Sequence, residues 1–155
     1  MKLTNLYEEI MNGLHFTEFE DDERMNIILM DNKEIIGKVI VVHVMSGYME
    51  FEDMMSEDEY LEIFGDDDFY QIEHLEVYPQ YTGSGYGKLL MNKAIDYVNK
   101  MDGRSLYLNA SPMSHKGLDL GNLVSFYKDF GFEVIPELDK WPHNKEMLLK
   151  LKQIG

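Results

Sequence analysis

The sequence predicts a mixed α/β domain in which helices flank one central sheet. Three observations support this fold class: strand-like and helix-like segments alternate, one strand runs straight into a glycine-rich loop and a helix, and no linker divides the 155 residues. A hydrophobic content of 45% and a charged content of 28% are ordinary for a globular domain. We therefore expect residues 1–155 to form a single domain.

The first 44 residues predict a helix followed by a hairpin. Residues 3–11 place one apolar stripe on a helix, and a loop or second short helix is expected through residue 23. Residues 25–30 and 35–44 read as two strands rich in β-branched side chains, joined by a short polar turn. Gly37 within the second strand predicts a bulge.

The remaining segments alternate between helix and strand. Ser56 followed by Glu59 predicts a capping box for a helix that ends at Gly65. The segments that follow are a strand over 69–77, a helix from about 85 to 101, a strand over 105–110, a short helix over 122–130 stopped by Gly131, and a closing strand over 146–151.

The segment between the strand over 69–77 and the helix that begins near residue 85 is the most informative in the chain. Gly83, Gly85 and Gly87 alternate, which predicts a backbone with φ > 0 and amide N–H groups that no Cβ shields. The following helix directs its positive end at the same point, as in phosphate-binding loops. A dinucleotide fingerprint does not fit, because Lys88 stands where its last glycine is required. A Walker A loop does not fit, because Leu89 follows Lys88 where a Ser or Thr is required. A plain strand-to-helix turn is the alternative.

Two motifs together resemble those of the GNAT superfamily of acyl-CoA-dependent N-acyltransferases. The first is Leu75-Glu76-Val77-Tyr78-Pro79 with the glycine loop, and the second is Asn122 followed by Phe126-Tyr127 and Gly131-Phe132. The resemblance covers about Phe69 to Phe132. It implies a mixed, mostly antiparallel sheet of six to seven strands, splayed where acetyl-CoA binds as co-substrate. Thr82 departs from the family, which has Arg or Gln at that position.

The resemblance also implies roles for particular residues. The backbone N–H of Val77 would polarise the thioester oxygen, and the Tyr127 hydroxyl would protonate the departing thiolate. A packed aromatic is the alternative for Tyr127. The expected coenzyme-binding residues are Leu75, Val77, Thr82, Gly83, Ser84, Gly85, Tyr86, Gly87, Lys88, Asn122 and Ser125.

The general base is expected on the strand before the loop. Related enzymes place it four or six residues before Val77, on the same face of the strand, which designates Gln71 or Glu73. Only Glu73 can accept a proton, although a salt-bridged surface carboxylate is the alternative. His74 and Glu76 fall on the opposite face unless a bulge changes the phase.

Composition excludes several classes of protein. No cysteine is present, which excludes disulfides, thiolate zinc sites and a cysteine acyl-enzyme. The scattered histidines give no paired-ligand spacing, so we expect no metal. With no apolar run long enough for a membrane span and no signal-peptide core at the N-terminus, we expect a cytoplasmic protein that does not bind membranes.

The charge is divided unequally along the chain. Residues 1–69 carry the whole net charge of −15, whereas residues 70–155 sum to zero. Because the resemblance assigns the early segments to the acceptor side, we expect a cationic amine as acceptor, either a polyamine-like molecule or a protein amine, and no nucleic acid. A solvated surface is the alternative. A non-catalytic protein that binds a basic partner or mimics nucleic acid is the competing function, and a homodimer is possible.

Overall fold

The computed structural model describes residues 13–112 and 119–151, and the helix expected over residues 3–11 lies outside them. Its seven strands form one sheet in the order β1-β2-β3-β4-β5-β7-β6. The strands are β1 (Leu14–Asp21), β2 (Arg24–Asp31), β3 (Glu34–Val44), β4 (Phe69–Val77), β5 (Ser105–Ala110), β6 (Glu133–Val134) and β7 (Lys145–Lys150). The helices are α1 (Glu57–Phe64), α2 (Tyr86–Lys100) and α3 (Leu120–Lys128).

The sheet is mostly antiparallel, as expected, and β4 with β5 is its parallel pair. Each face carries its own hydrophobic cluster. One cluster joins α2 and α3 to the sheet through Leu90, Val98, Leu123 and Tyr127, and we call this side the α2 face. The other joins α1 to the sheet through Tyr60, Phe64, Phe69, Tyr107 and Leu148, and we call this side the α1 face.

The expectation of a loop or short helix before residue 23 is wrong where the structure describes it, because β1 occupies Leu14–Asp21. Leu14 and Phe16 pack on the α2 face, and eight residue pairs join β1 to β2. Asp22 and Glu23, with φ of 47° and 65°, form the two-residue turn. The acidic residues from Glu18 to Glu23 therefore form the end of a hairpin.

The bulge expected at Gly37 is confirmed. Leu29 pairs with Gly37 while Met30 pairs with Ile35, so Ile36 is an extra residue in β3. A Cβ on Gly37 would lie 2.4 Å from the Glu76 carbonyl oxygen and 3.1 Å from the Val77 Cα. Glycine therefore permits β3 to approach the end of β4 closely.

Local signals set the ends of α1 as expected. The Ser56 hydroxyl accepts the Glu59 N–H at 3.2 Å, the Glu59 carboxylate accepts the Ser56 N–H at 3.3 Å, and Gly65 closes the helix at a φ of 81°. Such a cap contributes about 1 kcal/mol. No helix among the described residues is long and apolar enough to cross a membrane.

Candidate active site

Strands β4 and β5 separate after Gln71 and Tyr107. Their ladder contains the pairs Tyr70 with Leu106 and Gln71 with Tyr107, whereas β3 stays paired with β4 as far as Val77. The Tyr78 N–H donates to the Ile36 carbonyl at 2.9 Å. Because successive N–H groups of a strand point in opposite directions, the N–H groups of Val77 and Leu75 are directed into the gap beside β5.

The glycine loop lies at the mouth of this gap. Gly83 and Gly85 have φ of 86° and 82°, and a Cβ on either residue would meet nothing within 4 Å. The loop therefore surrounds open space. Gly87 differs from the expectation of φ > 0, because it lies inside α2. A Cβ there would lie 3.6 Å from Phe126 Cζ and 3.8 Å from Val77 Cγ2, both ordinary contacts.

The start of α2 fits the diphosphate of a coenzyme. Its first α-helical hydrogen bond runs from the Leu89 N–H to the Gly85 carbonyl at 3.2 Å. The preceding N–H groups therefore have no partner within the helix and are directed at the loop. These donors, the helix dipole and the space above Gly83 and Gly85 suit an anionic group. The Ser84 and Lys88 side chains are exposed at the same place.

Thr82 stabilises the turn that leads into the loop. Its hydroxyl donates to the Pro79 carbonyl at 3.0 Å, which closes the 3-10 turn Pro79–Tyr81. A short side chain committed to this bond cannot reach a distant phosphate as Arg or Gln could. The backbone amides of the loop remain as the anion donors.

Tyr127 lies beneath the gap on the α2 face. Its side chain is only 3% exposed, with ring centroids 5.2 Å from Phe126 and 5.9 Å from Phe132. Phe126 and Val77 both approach Gly87, which connects the tyrosine to the loop and to the end of β4. Burial raises the pKa of Tyr127 well above its ordinary value, so the hydroxyl is protonated at neutral pH.

Asn122 and Ser125 are both exposed on α3. Asn122 does not cap this helix, because α3 begins at Leu120 and Asp119 is its N-cap. The Asp119 carboxylate accepts the Asn122 N–H at 2.8 Å. The Asn122 side chain is therefore available to a ligand rather than needed by the helix.

A second bulge changes the faces of β4. Ile40 pairs with His74 while Val41 pairs with Ile72, so Glu73 is the extra residue. Ile72 and Leu75 both pack into the cluster of the α2 face, and Val77 packs against it. The expectation that Glu73 and Gln71 share a face with Val77 is thus wrong, because alternation does not continue through a bulge.

Glu73 is held by an ion pair across the sheet. The Arg24 Nε donates to both carboxylate oxygens of Glu73, at 3.1 and 3.0 Å. This carboxylate raises the pKa of the Arg24 guanidinium. Arg24 alternates with Met25 and Ile27, which pack on the α2 face, so Arg24 and Glu73 lie on the α1 face. Whether Glu73 serves as the base stays a prediction.

His74 and Glu76 lie on the α1 face beside the open half of β4, opposite Val77 as expected. The His74 Nε2 is 3.3 Å from the Glu76 Oε1, and the two side chains are 38% and 41% exposed. Sequence reasoning set this pair aside. A signal for it was present, since two polar residues in succession between Ile72 and Leu75 break strict alternation.

A cavity of about 640 Å³ opens at the C-terminal end of β5, the end toward which the gap widens. Trp141, 57% exposed, and Leu120 at the start of α3 are among its lining residues. The Asn144 amide donates to the Asn109 side chain at 2.8 Å along the same wall. In residues 13–112 and 119–151, no three His, Asp or Glu side chains form a group that could hold a metal ion.

A comparison with known families matches residues 2–132 to the acetyltransferase (GNAT) family. The chain belongs to this family. The match confirms the resemblance, the fold class and the expected enzyme class, an acyl-CoA N-acetyltransferase. A comparison with curated proteins gave no match.

Solved structures share the fold at low sequence identity. The PaiA N-acetyltransferase from Thermoplasma acidophilum in complex with coenzyme A is 17% identical, with a TM-score of 0.56 over 83% of this chain and 62% of that one. The chain thus spans less than two thirds of that protein. A GNAT acetyltransferase from Elizabethkingia anophelis with acetyl-CoA bound is 11% identical, with a TM-score of 0.59 over 90% and 99% of the two chains.

The ribosomal-protein-S18-alanine N-acetyltransferase from Escherichia coli is 16% identical to the chain. Its TM-score is 0.58 over 100% of this chain and 93% of that one. Coenzyme A or acetyl-CoA is bound in the first two of these structures, which supports acetyl-CoA, the expected co-substrate, for the family to which this chain belongs.

Proposed function

We propose that this GNAT protein transfers an acetyl group from acetyl-CoA to the primary amine of a cationic acceptor by direct attack within a ternary complex. The observation that carries the proposal is the gap between β4 and β5, which has the glycine loop at its mouth and Tyr127 beneath it. An interaction module has no physical need for this combination. The absence of cysteine from the sequence is consistent with direct transfer rather than an acyl-enzyme on a thiol.

The coenzyme would occupy the α2 face of the gap. Amides from Gly83 to Lys88 would bind the diphosphate, and Asn122 and Ser125 would contact the pantetheine arm. The Val77 N–H, directed into the gap, would donate to the thioester oxygen and stabilise the negative charge that develops on it. Tyr127, neutral because it is buried, would donate its proton to the sulfur as the C–S bond breaks.

Charge supports a cationic acceptor. The acidic segments around α1 lie on or beside the α1 face, the face that the coenzyme leaves free. They comprise Glu50, Glu52, Asp53, Glu57, Asp58, Glu59, Glu62, Asp66, Asp67 and Asp68. A field of this sign raises the local concentration of cations and repels nucleic acid. The Escherichia coli enzyme with the same fold is named for its action on an alanine of a ribosomal protein. We therefore include protein amines as acceptors beside small polyamine-like molecules.

A second function has one observation in its favour. Thr82 commits its hydroxyl to the turn, so the loop lacks the long side chain that the family has at this position. Together with the acidic N-terminal half, this supports a non-catalytic protein that binds a basic partner. Binding of acetyl-CoA separates the two functions.

The experiment is calorimetric titration of the protein with acetyl-CoA and with coenzyme A, followed by a thiol-release assay against a panel of amines. We expect acetyl-CoA to bind with a Kd of the order of micromolar, about −8 kcal/mol. We also expect faster turnover with cationic amines than with neutral amines of equal size. Binding without turnover on any amine would favour the non-catalytic function. No binding would refute the acetyltransferase proposal.

A further inference from the structure

The acceptor amine must approach the thioester from the α1 face. The start of α2, which suits the diphosphate, and Tyr127 both belong to the α2 face. A nucleophile that enters the gap while the coenzyme lies on one side has the opposite side available. The group that removes the proton from the attacking ammonium must therefore be within reach on the α1 face.

Three titratable side chains of β4 meet this requirement because the bulge at Glu73 turns them to that face. They are Glu73, His74 and Glu76. All three follow the last β4–β5 pair, at Gln71, and thus border the gap. The hydrogen bonds that each side chain already makes distinguish the three candidates. Both oxygens of Glu73 accept from Arg24, so that carboxylate is already occupied by an ion pair across the sheet.

We propose that His74 is the general base of the acetyl transfer and that Glu76 orients its imidazole ring. This inference rests on the proposed function. The Glu76 carboxylate, 3.3 Å from Nε2, accepts a hydrogen bond from that nitrogen and so fixes the tautomer in which Nδ1 holds the lone pair. Glu76 then stabilises the imidazolium that forms, as a carboxylate does behind a catalytic histidine. Glu73 balances the charge of Arg24.

The proton and bond changes balance. Nδ1 of His74 takes one proton from the ammonium and passes it to water. The free amine forms a bond to the carbonyl carbon, and the C–S bond breaks as Tyr127 protonates the sulfur. The second proton leaves the nitrogen as the amide forms and restores the Tyr127 hydroxyl. The products are the N-acetyl amine, coenzyme A and one proton.

Charged groups around His74 belong to four neighbouring strands. On β3, Lys38 lies directly opposite Glu76 and the apolar Ile40 opposite His74. Arg24 from β2 engages Glu73. On the far side of the gap, the Tyr107 hydroxyl of β5 donates to Glu146 of β7 at 2.5 Å, and burial first, then Glu146, raises the pKa of Tyr107. A neutral hydroxyl bonded to its own carboxylate does not compete for the acceptor's proton.

The test compares His74→Gln, Glu76→Gln and Glu73→Gln with His15→Gln as a matched control, because His15 is exposed on the edge strand β1. Calorimetry of acetyl-CoA binding and thermal unfolding accompany every kinetic profile. We expect His74→Gln to lower kcat/KM for the amine about 100-fold or more with acetyl-CoA affinity retained. Glu76→Gln should lower it less, and Glu73→Gln and His15→Gln by no more than about threefold.

The pH profile supplies a readout that a structural role would not move. An imidazole base loses activity as pH falls through about 6.5, whereas a carboxylate base does so near about 4.3. We expect the wild-type profile to lose activity on its acid side and expect this acid limb to vanish in His74→Gln. An active wild type with a near-normal His74→Gln variant would refute this inference alone. A wild type that transfers no acetyl group would refute the proposed function and this inference with it.

Discussion

Two glycines with the same backbone conformation allow the coenzyme loop to be tested against its own control. Gly85 precedes α2 with φ of 82°, and Gly65 ends α1 with φ of 81°. A Cβ on either would meet nothing within 4 Å. Alanine at both positions thus carries the same left-handed strain and the same absence of steric conflict. Only at Gly85 would the added methyl group project into the space assigned to the diphosphate.

The magnitudes follow from this geometry. The left-handed conformation costs an alanine about 1 to 2 kcal/mol, part of which is offset by the lower entropy of the unfolded chain. We therefore expect Gly85→Ala and Gly65→Ala to lower the free energy of unfolding equally, by about 1 kcal/mol each. Acetyl-CoA affinity should separate them. Gly85→Ala should weaken binding about tenfold, which corresponds to about 1.4 kcal/mol, and Gly65→Ala less than about twofold.

Urea unfolding measures the first quantity and calorimetric titration at fixed salt the second. Equal destabilisation with an unchanged Kd in Gly85→Ala would refute the assignment of the loop as the diphosphate site. A weakened Kd in both variants would show that affinity follows global stability rather than the loop. Matched stability with different affinity is the result that assigns the loop to the diphosphate.

Three further predictions use other parts of the site. Tyr127→Phe should lower kcat about 100-fold at unchanged acetyl-CoA affinity. Because the pKa of Tyr127 is raised in the folded state, the folded protein holds this proton more tightly than the unfolded chain does. The stability that the proton contributes is present below about pH 10 and is lost as pH rises toward the folded-state pKa. Tyr127→Phe should therefore reduce alkaline unfolding. Gly37→Ala should lower the free energy of unfolding in urea by about 2 to 3 kcal/mol, because its Cβ would lie 2.4 Å from a backbone oxygen. Gly121→Ala is the control and should be neutral or stabilising, because its Cβ would come no closer than 3.5 Å to the Asp119 carboxylate. Raising the ionic strength from about 0.05 to about 0.5 M should lower kcat/KM for a dicationic acceptor while leaving a neutral amine unaffected, and equal salt dependence for both acceptors would contradict steering.

The elements that the sequence specifies locally could be predicted well. The capping box at Ser56 and Glu59, the C-terminal Gly65 and the bounds of β4 all rest on residues adjacent in the chain. The order of strand, glycine loop and helix likewise depends on short-range signals. Recognition of the family motifs added the Tyr127 helix, which no periodicity argument would connect to the loop.

The features that depend on partner strands could not be predicted in the same way. β1 is a strand because it pairs with β2, and its acidic end resembles a loop to any local criterion. The Glu73 bulge exists because β3 pairs with Ile72 and His74 in succession. This register depends on contacts between residues about 30 positions apart, and it alone decides which side chains of β4 share a face.

The two faces of the sheet carry groups suited to ligands of opposite charge. Anion donors of the backbone and the neutral acid Tyr127 lie on the α2 face, where a negatively charged coenzyme would bind. His74 and the acidic segments around α1 lie on or beside the α1 face, where a cation would approach. If both ligands shared one face, the acidic segments around α1 would repel the coenzyme that the glycine loop attracts. Without the bulge at Glu73, the titratable groups of β4 would alternate between the faces.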